Sequence, residues 1–82
     1  MWHFPLINPV KKYSLNHFLN HIREECREFE EETSQEEKEK EAVDILHAAE
    51  TFVRKFFADD KRFEEVRDKV IAKNTSRGYY TN

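Results

Sequence analysis

Residues 24–44 read EECREFEEETSQEEKEKEAVD, and the reading of this stretch decides the fold. Its ends are dense in helix-forming residues, while Thr33-Ser34-Gln35 forms a polar break between them. The chain therefore reads as two helices folded back on each other. Glu24-Glu25-x-x-Glu28 lies before the break and Glu41-x-x-Asp44 after it. Residues three apart share a helix face, so Glu25 with Glu28, and Glu41 with Asp44, form local carboxylate pairs. The cross-pairs Glu28/Glu41 and Glu25/Asp44 have one common midpoint, at Ser34/Gln35. At ~1.5 Å rise per residue, the fold-back sets Glu28 opposite Glu41, and Glu25 opposite Asp44 one turn further from the bend. Antiparallel neighbours pack ~8–10 Å apart. Such a gap suits hard cations that bridge oxygens from both helices, and Mg²⁺ takes oxygen ligands in octahedral geometry.

The apolar pattern around these acids separates them from ordinary surface charge. On helix 1, Leu15, Phe18, Leu19, Ile22, Cys26 and Phe29 form a stripe about 100° wide, with Glu25 at its edge and Glu28 further round on the same side. On helix 2, the apolar residues from Ala42 to Phe57 cover roughly 220°, with Glu41 inside that arc and Asp44 at its margin. Carboxylates rarely occupy an apolar stripe unless they are paired or metal-bound. Glu30, Glu31, Glu32, Glu36 and Glu39 have no such placement and read as solubilising charge.

EExxE, a short spacer, ExxD and a later Lys-x-x-x-Arg resemble the MazG-type all-α nucleoside triphosphate pyrophosphohydrolases over residues 24–78. The resemblance implies cleavage of a (d)NTP at the α-phosphorus to (d)NMP and pyrophosphate, a nucleotide-pool house-cleaning reaction. It implies Mg²⁺, with Mn²⁺ as a substitute, on Glu25, Glu28, Glu41 and Asp44, and a water activated by Glu24 or Glu28. Lys73 and Arg77 match the triphosphate-binding Lys-x-x-x-Arg, with Asn74 as a polar contact. Glu24 belongs to the motif but points away from the apolar stripe, which makes it a poorer metal ligand than Glu25 or Glu28. The related phosphoribosyl-ATP pyrophosphohydrolase of histidine synthesis is the alternative within the same fold and chemistry.

Outward from the hairpin, residues 2–10, WHFPLINPV, are apolar, with Pro5 and Pro9, and predict an irregular lead-in over 1–13. Its simplest role is a lid on the bundle; Trp2, His3 or Phe4 would alternatively stack on a nucleobase. Ser14 is a good N-cap for a helix over 14–32. Cys26, on the apolar stripe, reads as a core residue. Ser34 and Glu37 form a capping-box pattern opening a helix over 35–57. Asp59-Asp60 caps a third helix over 61–76, thin in apolar residues, on which Lys69, Lys73 and Arg77 recur every four positions; Gly78 fits its C-terminal stop and 77–82 form a tail. Tyr79 and Tyr80 would stack on base or sugar, or pack at a subunit boundary. Helix 1 covers only part of the 220° arc, so the expected architecture is all-α: an antiparallel helical hairpin plus a third helix, completed as a bundle by dimerisation.

Composition limits the other classes. At 82 residues the chain is one domain near the lower size for a self-sufficient core. One cysteine allows no intrachain disulfide, and the reducing cytoplasm is the expected compartment. No apolar run approaches a membrane span, and Met1-Trp2-His3-Phe4-Pro5 lacks the features of a signal peptide. The net charge is −3, and after Asp68 the charged residues are the cations Lys69, Lys73 and Arg77. This polarity fits an anion held between metal ions and a basic helix, and lacks the broad basic patch that nucleic acid would need. The expected partners are a nucleoside triphosphate and further copies of the chain, as a dimer or tetramer. Asp44-x-x-His47 also matches half of a di-iron signature, but helix 1 lacks the second pair and His47 falls on the polar side. A non-catalytic acidic helical module is the reading from a third class.

Overall fold

A computed structural model describes residues 2–7, 12–57 and 59–80; the parts of the expected lead-in and tail at 1, 8–11 and 81–82 lie outside it. The described residues are all helical in their regular structure: α1 (Leu15–Glu31), α2 (Gln35–Phe56) and α3 (Asp60–Ser76).

Local chemistry fixes the ends of each helix. Ser14 and Ser34 are extended N-caps whose hydroxyls accept from the His17 and Glu37 amides, satisfying donors that a first turn leaves free. The Glu37 carboxylate meanwhile accepts from Lys40. Lys38 donates to the Phe29 carbonyl and lies 4.7 Å above the Phe29 ring, so it ties the end of α1 to the start of α2 across the bend. At α3, Asp59 caps the Lys61 amide. Gly78, at φ +73°, closes the same helix: its amide donates to Thr75 O and the Tyr79 amide to Asn74 O, the paired bonds of a Schellman end.

The hairpin is the packed part of the molecule. α1 lies along α2, whereas α3 lies along neither. Phe18 and Ala48 are the buried apolar side chains among the described residues, one from each hairpin helix. Residues 2–7 run beside the second half of α2 and are clamped there. Glu50 accepts from the His3 amide (2.6 Å), the Phe4 amide (3.1 Å) and His3 Nδ1 (3.1 Å), while Arg54 donates to the Phe4 carbonyl at 2.8 Å. Trp2 fastens the corner between α2 and α3: its ring sits 4.9 Å from Phe63 and 5.0 Å from the Arg54 guanidinium, and its Nε1 donates to Asp60.

Beyond that corner α3 buries no residue, and Val70 and Ile71 are exposed, as are Val43, Leu46 and Phe56 on α2. The radius of gyration, 14.8 Å, exceeds the ~12 Å of a compact chain this long. Cys26 is also exposed, because no described element of the same chain covers that side of α1. Its place on the apolar stripe did not make it a core residue.

Candidate metal centre

Glu25, Glu28 and Glu41 converge where α1 faces α2. Each offers an oxygen, and the three oxygens lie within 4.8 Å of one another. Glu25 and Glu41 are half-buried, and Glu28 reaches in from the exposed side. Glu25 Oε2 and Glu41 Oε2 are buried, and among the described residues no amide, hydroxyl or ammonium group donates to them. His21 approaches the group as a potential cation, with Nε2 3.3 Å from Glu25 Oε1.

Crowded carboxylates out of water resist ionisation. Burial raises the Glu25 pKa, and the charges of Glu28 and Asp44 raise it further against a lowering hydrogen bond with Glu41. Glu41 is pushed up to about 7, first by burial, then by its hydrogen bond with Glu25 and the charges of Glu28, Glu25 and Asp44. Without a cation, Glu41 holds its proton up to about pH 7.

The donor set fits a hard divalent ion. It supplies oxygens alone, from both helices, and octahedral ligands at ~2.1 Å stand ~3–4 Å apart, close to the observed spread. A structural carboxylate cluster would instead be expected to gather Lys, Arg or amide donors, as Glu50 does.

The remaining sequence-derived candidates fall in three places. Asp44 is exposed and outside the close triad, but near enough for its charge to act on Glu25 and Glu41. Glu24 is exposed and not among the three converging acids. Lys73 and Asn74 stand on α3, which does not pack on the hairpin, and Arg77 is its C-cap; Asn74 donates to the Tyr80 hydroxyl at 3.5 Å, and Tyr79 is exposed. Trp2 is engaged at the α2–α3 corner with Phe63, Arg54 and Asp60.

One residue read as surface is not. His47 is half-buried and stacked on Phe4 at 4.5 Å, and its Nε2 is buried with no partner among the described residues. Helix periodicity places it on the polar side of α2, but residues 2–7 cover that side. The signal available in the sequence was its spacing, one turn beyond Asp44.

No family model, curated protein or solved structure matches this chain, so the resemblance to the MazG-type enzymes rests on the motif residues themselves.

Proposed function

We propose that the chain is a Mg²⁺-dependent pyrophosphohydrolase that converts a (d)NTP to (d)NMP and pyrophosphate. The observation that carries this reading is the triad of Glu25, Glu28 and Glu41, two of whose buried oxygens lack any donor among the described residues. Divalent ions bound there would neutralise phosphate charge and acidify a coordinated water. Glu25, Glu28 and Glu41 would hold them from both helices, with Asp44 supplying further negative charge from one turn away. Water adds to the α-phosphorus as the bond to the bridging oxygen of the β-phosphate breaks; the electron pair leaves with pyrophosphate. The water proton passes to a carboxylate, for which Glu28, in the triad, is better placed than Glu24. Lys73 and Arg77 neutralise the outer phosphates.

In this reading the working unit is a dimer in which the exposed apolar residues of α2 and α3 become a bundle core. Two features support it: the exposed Val43, Leu46, Phe56, Val70 and Ile71, and an apolar groove of about 220 Å³ between Trp2, Leu46, Val53 and Phe63. With α3 standing off its own hairpin, Lys73 and Arg77 would serve the acidic centre of the partner subunit.

The test is pyrophosphate release from a panel of canonical and modified (d)NTPs, with Mg²⁺ and with EDTA, beside Glu28→Gln. Metal-dependent release that the substitution removes is the expected result. Release from phosphoribosyl-ATP alone would move the assignment to that substrate, and no release from either would leave an acidic helical module. Mass measurement at low micromolar concentration should give a dimer or tetramer; a well-folded monomer refutes the assembly.

A further inference from the structure

The two oxygens of Glu25 meet different surroundings. Oε1 lies 3.3 Å from Nε2 of His21, one turn earlier on α1. Oε2 is buried and has no hydrogen-bond partner among the described residues. Residues four apart meet on a helix face, so α1 alone sets the His21–Glu25 pair, before any packing against α2. Neither Glu28 nor Glu41 has a basic partner of this kind among the described residues. The triad is therefore asymmetric: one of its three carboxylates is held from its own helix.

That contact admits two roles, with opposite consequences for a metal ion. As a stand-in cation, His21 would occupy the place of the ion, and its removal would tighten metal binding. As a hydrogen-bond donor it would hold Glu25 in the geometry that an ion requires. A free glutamate loses rotamer freedom when it ligates an ion, which weakens binding, and a carboxylate fixed beforehand avoids that loss. Ligating carboxylates are themselves hydrogen-bonded, and removing such a partner weakens metal binding by ~10–100-fold.

The geometry separates the two. A stand-in cation belongs between the acids, yet the oxygens of Glu25, Glu28 and Glu41 come within 4.8 Å of one another as a group to which His21 contributes no atom. The His21 side chain is 50% exposed and that of Glu25 13%, so the imidazole reaches the carboxylate from the solvent margin. An ionised carboxylate only accepts, so Nε2 is the donor, and the neutral imidazole has that tautomer without any positive charge.

We infer that His21 is a positioning residue for the metal centre: its Nε2–H holds Glu25 Oε1 and leaves Oε2 to a divalent cation shared with Glu28 and Glu41. The inference rests on the proposed function for the use of that ion, and on the contact itself for its binding. It also divides the work within the triad. Glu25 is the fixed ligand, whereas the exposed Glu28 is the member free to take a proton from water.

Calorimetric titration of Mg²⁺ and Mn²⁺ into the metal-free chain reads this role without a substrate. His21→Leu removes the donor and should raise the dissociation constant ~10-fold or more. His21→Gln puts an amide N–H near the place of Nε2 and should return the affinity to within about threefold of the parent. In EDTA the three proteins should melt at nearly the same temperature, because a half-exposed pair adds little to stability. Where triphosphate is cleaved, His21→Leu should need correspondingly more Mg²⁺ for half-maximal rate and reach nearly the parental rate at saturation. Unchanged or tighter metal binding in His21→Leu overturns the inference even if the parent cleaves triphosphates. Equal losses in both variants overturn it as well, since the imidazole would then ligate the ion directly, and so does a parent chain that binds neither ion. Weakening in His21→Leu with recovery in His21→Gln upholds it even if no triphosphate is cleaved, and the proposed function alone then falls.

Discussion

Helix α2 carries two inward-facing carboxylates nine residues apart, and the fold holds them in opposite states. Burial would raise the pKa of Glu50, but the amides of Phe4 and His3 and the His3 ring outweigh it and hold the group below its ordinary value. Glu41 meets other carboxylates instead and is pushed up to about 7. Glu50 is saturated with donors from its own chain, so its charge is a structural part and requires no ligand. The Glu41 neighbourhood gathers carboxylates, met among the described residues by His21 at Glu25, and leaves two buried oxygens without a hydrogen-bond partner, as a cation site does before its cation arrives. Acidity alone distinguishes nothing here; the difference lies in what faces each acid.

The comparison breaks most sharply under substitution. Glu28→Gln or Asp44→Asn should reduce pyrophosphate release by roughly 100-fold or more while leaving the helical circular dichroism intact. A variant that keeps most of its activity would remove the metal centre from the assignment. Glu50→Ala should do the reverse. It strands two backbone amides and the His3 ring, at a cost on the order of 3 kcal/mol, seen as a lower urea midpoint. If Glu50→Ala were as stable as the parent, the contrast between structural and ligand-seeking acid would fail.

Metal addition is the next largest effect. Mg²⁺ at a hundred times its dissociation constant should stabilise the fold by ~2.7 kcal/mol if it binds the native state alone. Glu41→Gln removes one member of the repelling triad. It should raise the melting temperature in EDTA and abolish most of the gain from Mg²⁺; a variant less stable than the parent in EDTA would show that Glu41 is held by attraction.

How far the sequence carries this picture depends on how local each interaction is. The hairpin is legible because its determinants are neighbours in the chain: Ser14 and Ser34 cap within three residues, and the bend at Ser34/Gln35 sets the register of α2 against α1. That register sets Glu28 opposite Glu41 and Glu25 opposite Asp44 one turn further from the bend, and in the folded molecule Glu25, Glu28 and Glu41 converge. Asp44 stays outside that close group; the longer glutamates meet at one level that the shorter aspartate does not reach. Glu50 and His47 are not legible. Their partners, His3 and Phe4, come from more than forty residues away, and no periodicity announces a segment folding back along α2. The exposure of Cys26 escapes the sequence for the complementary reason: a stripe states what could be covered, and α3 leaves that side open.

The smallest effect, and the finest probe of the two carboxylates, is the pH dependence of stability in EDTA. For Glu41 the folded pKa of about 7 lies above the ordinary value of 4.5, so the native state holds the proton longer than the unfolded chain. Between those values the native state binds more protons, and stability must fall as pH rises through about 7. For Glu50 the folded pKa lies below 4.5, so its contribution is present above 4.5 and is lost as pH falls through the lowered value. The metal-free protein should therefore melt highest near pH 5, with the Glu25/Glu41 pair behind the alkaline limb and Glu50 behind the acid limb. Glu41→Gln should flatten the alkaline limb and leave the acid limb, and Glu50→Gln the converse. Mg²⁺ should lift the alkaline limb alone, since there a cation replaces the proton that Glu41 has released. Both limbs responding equally to either substitution would mean that the two ends of α2 do not titrate as independent sites.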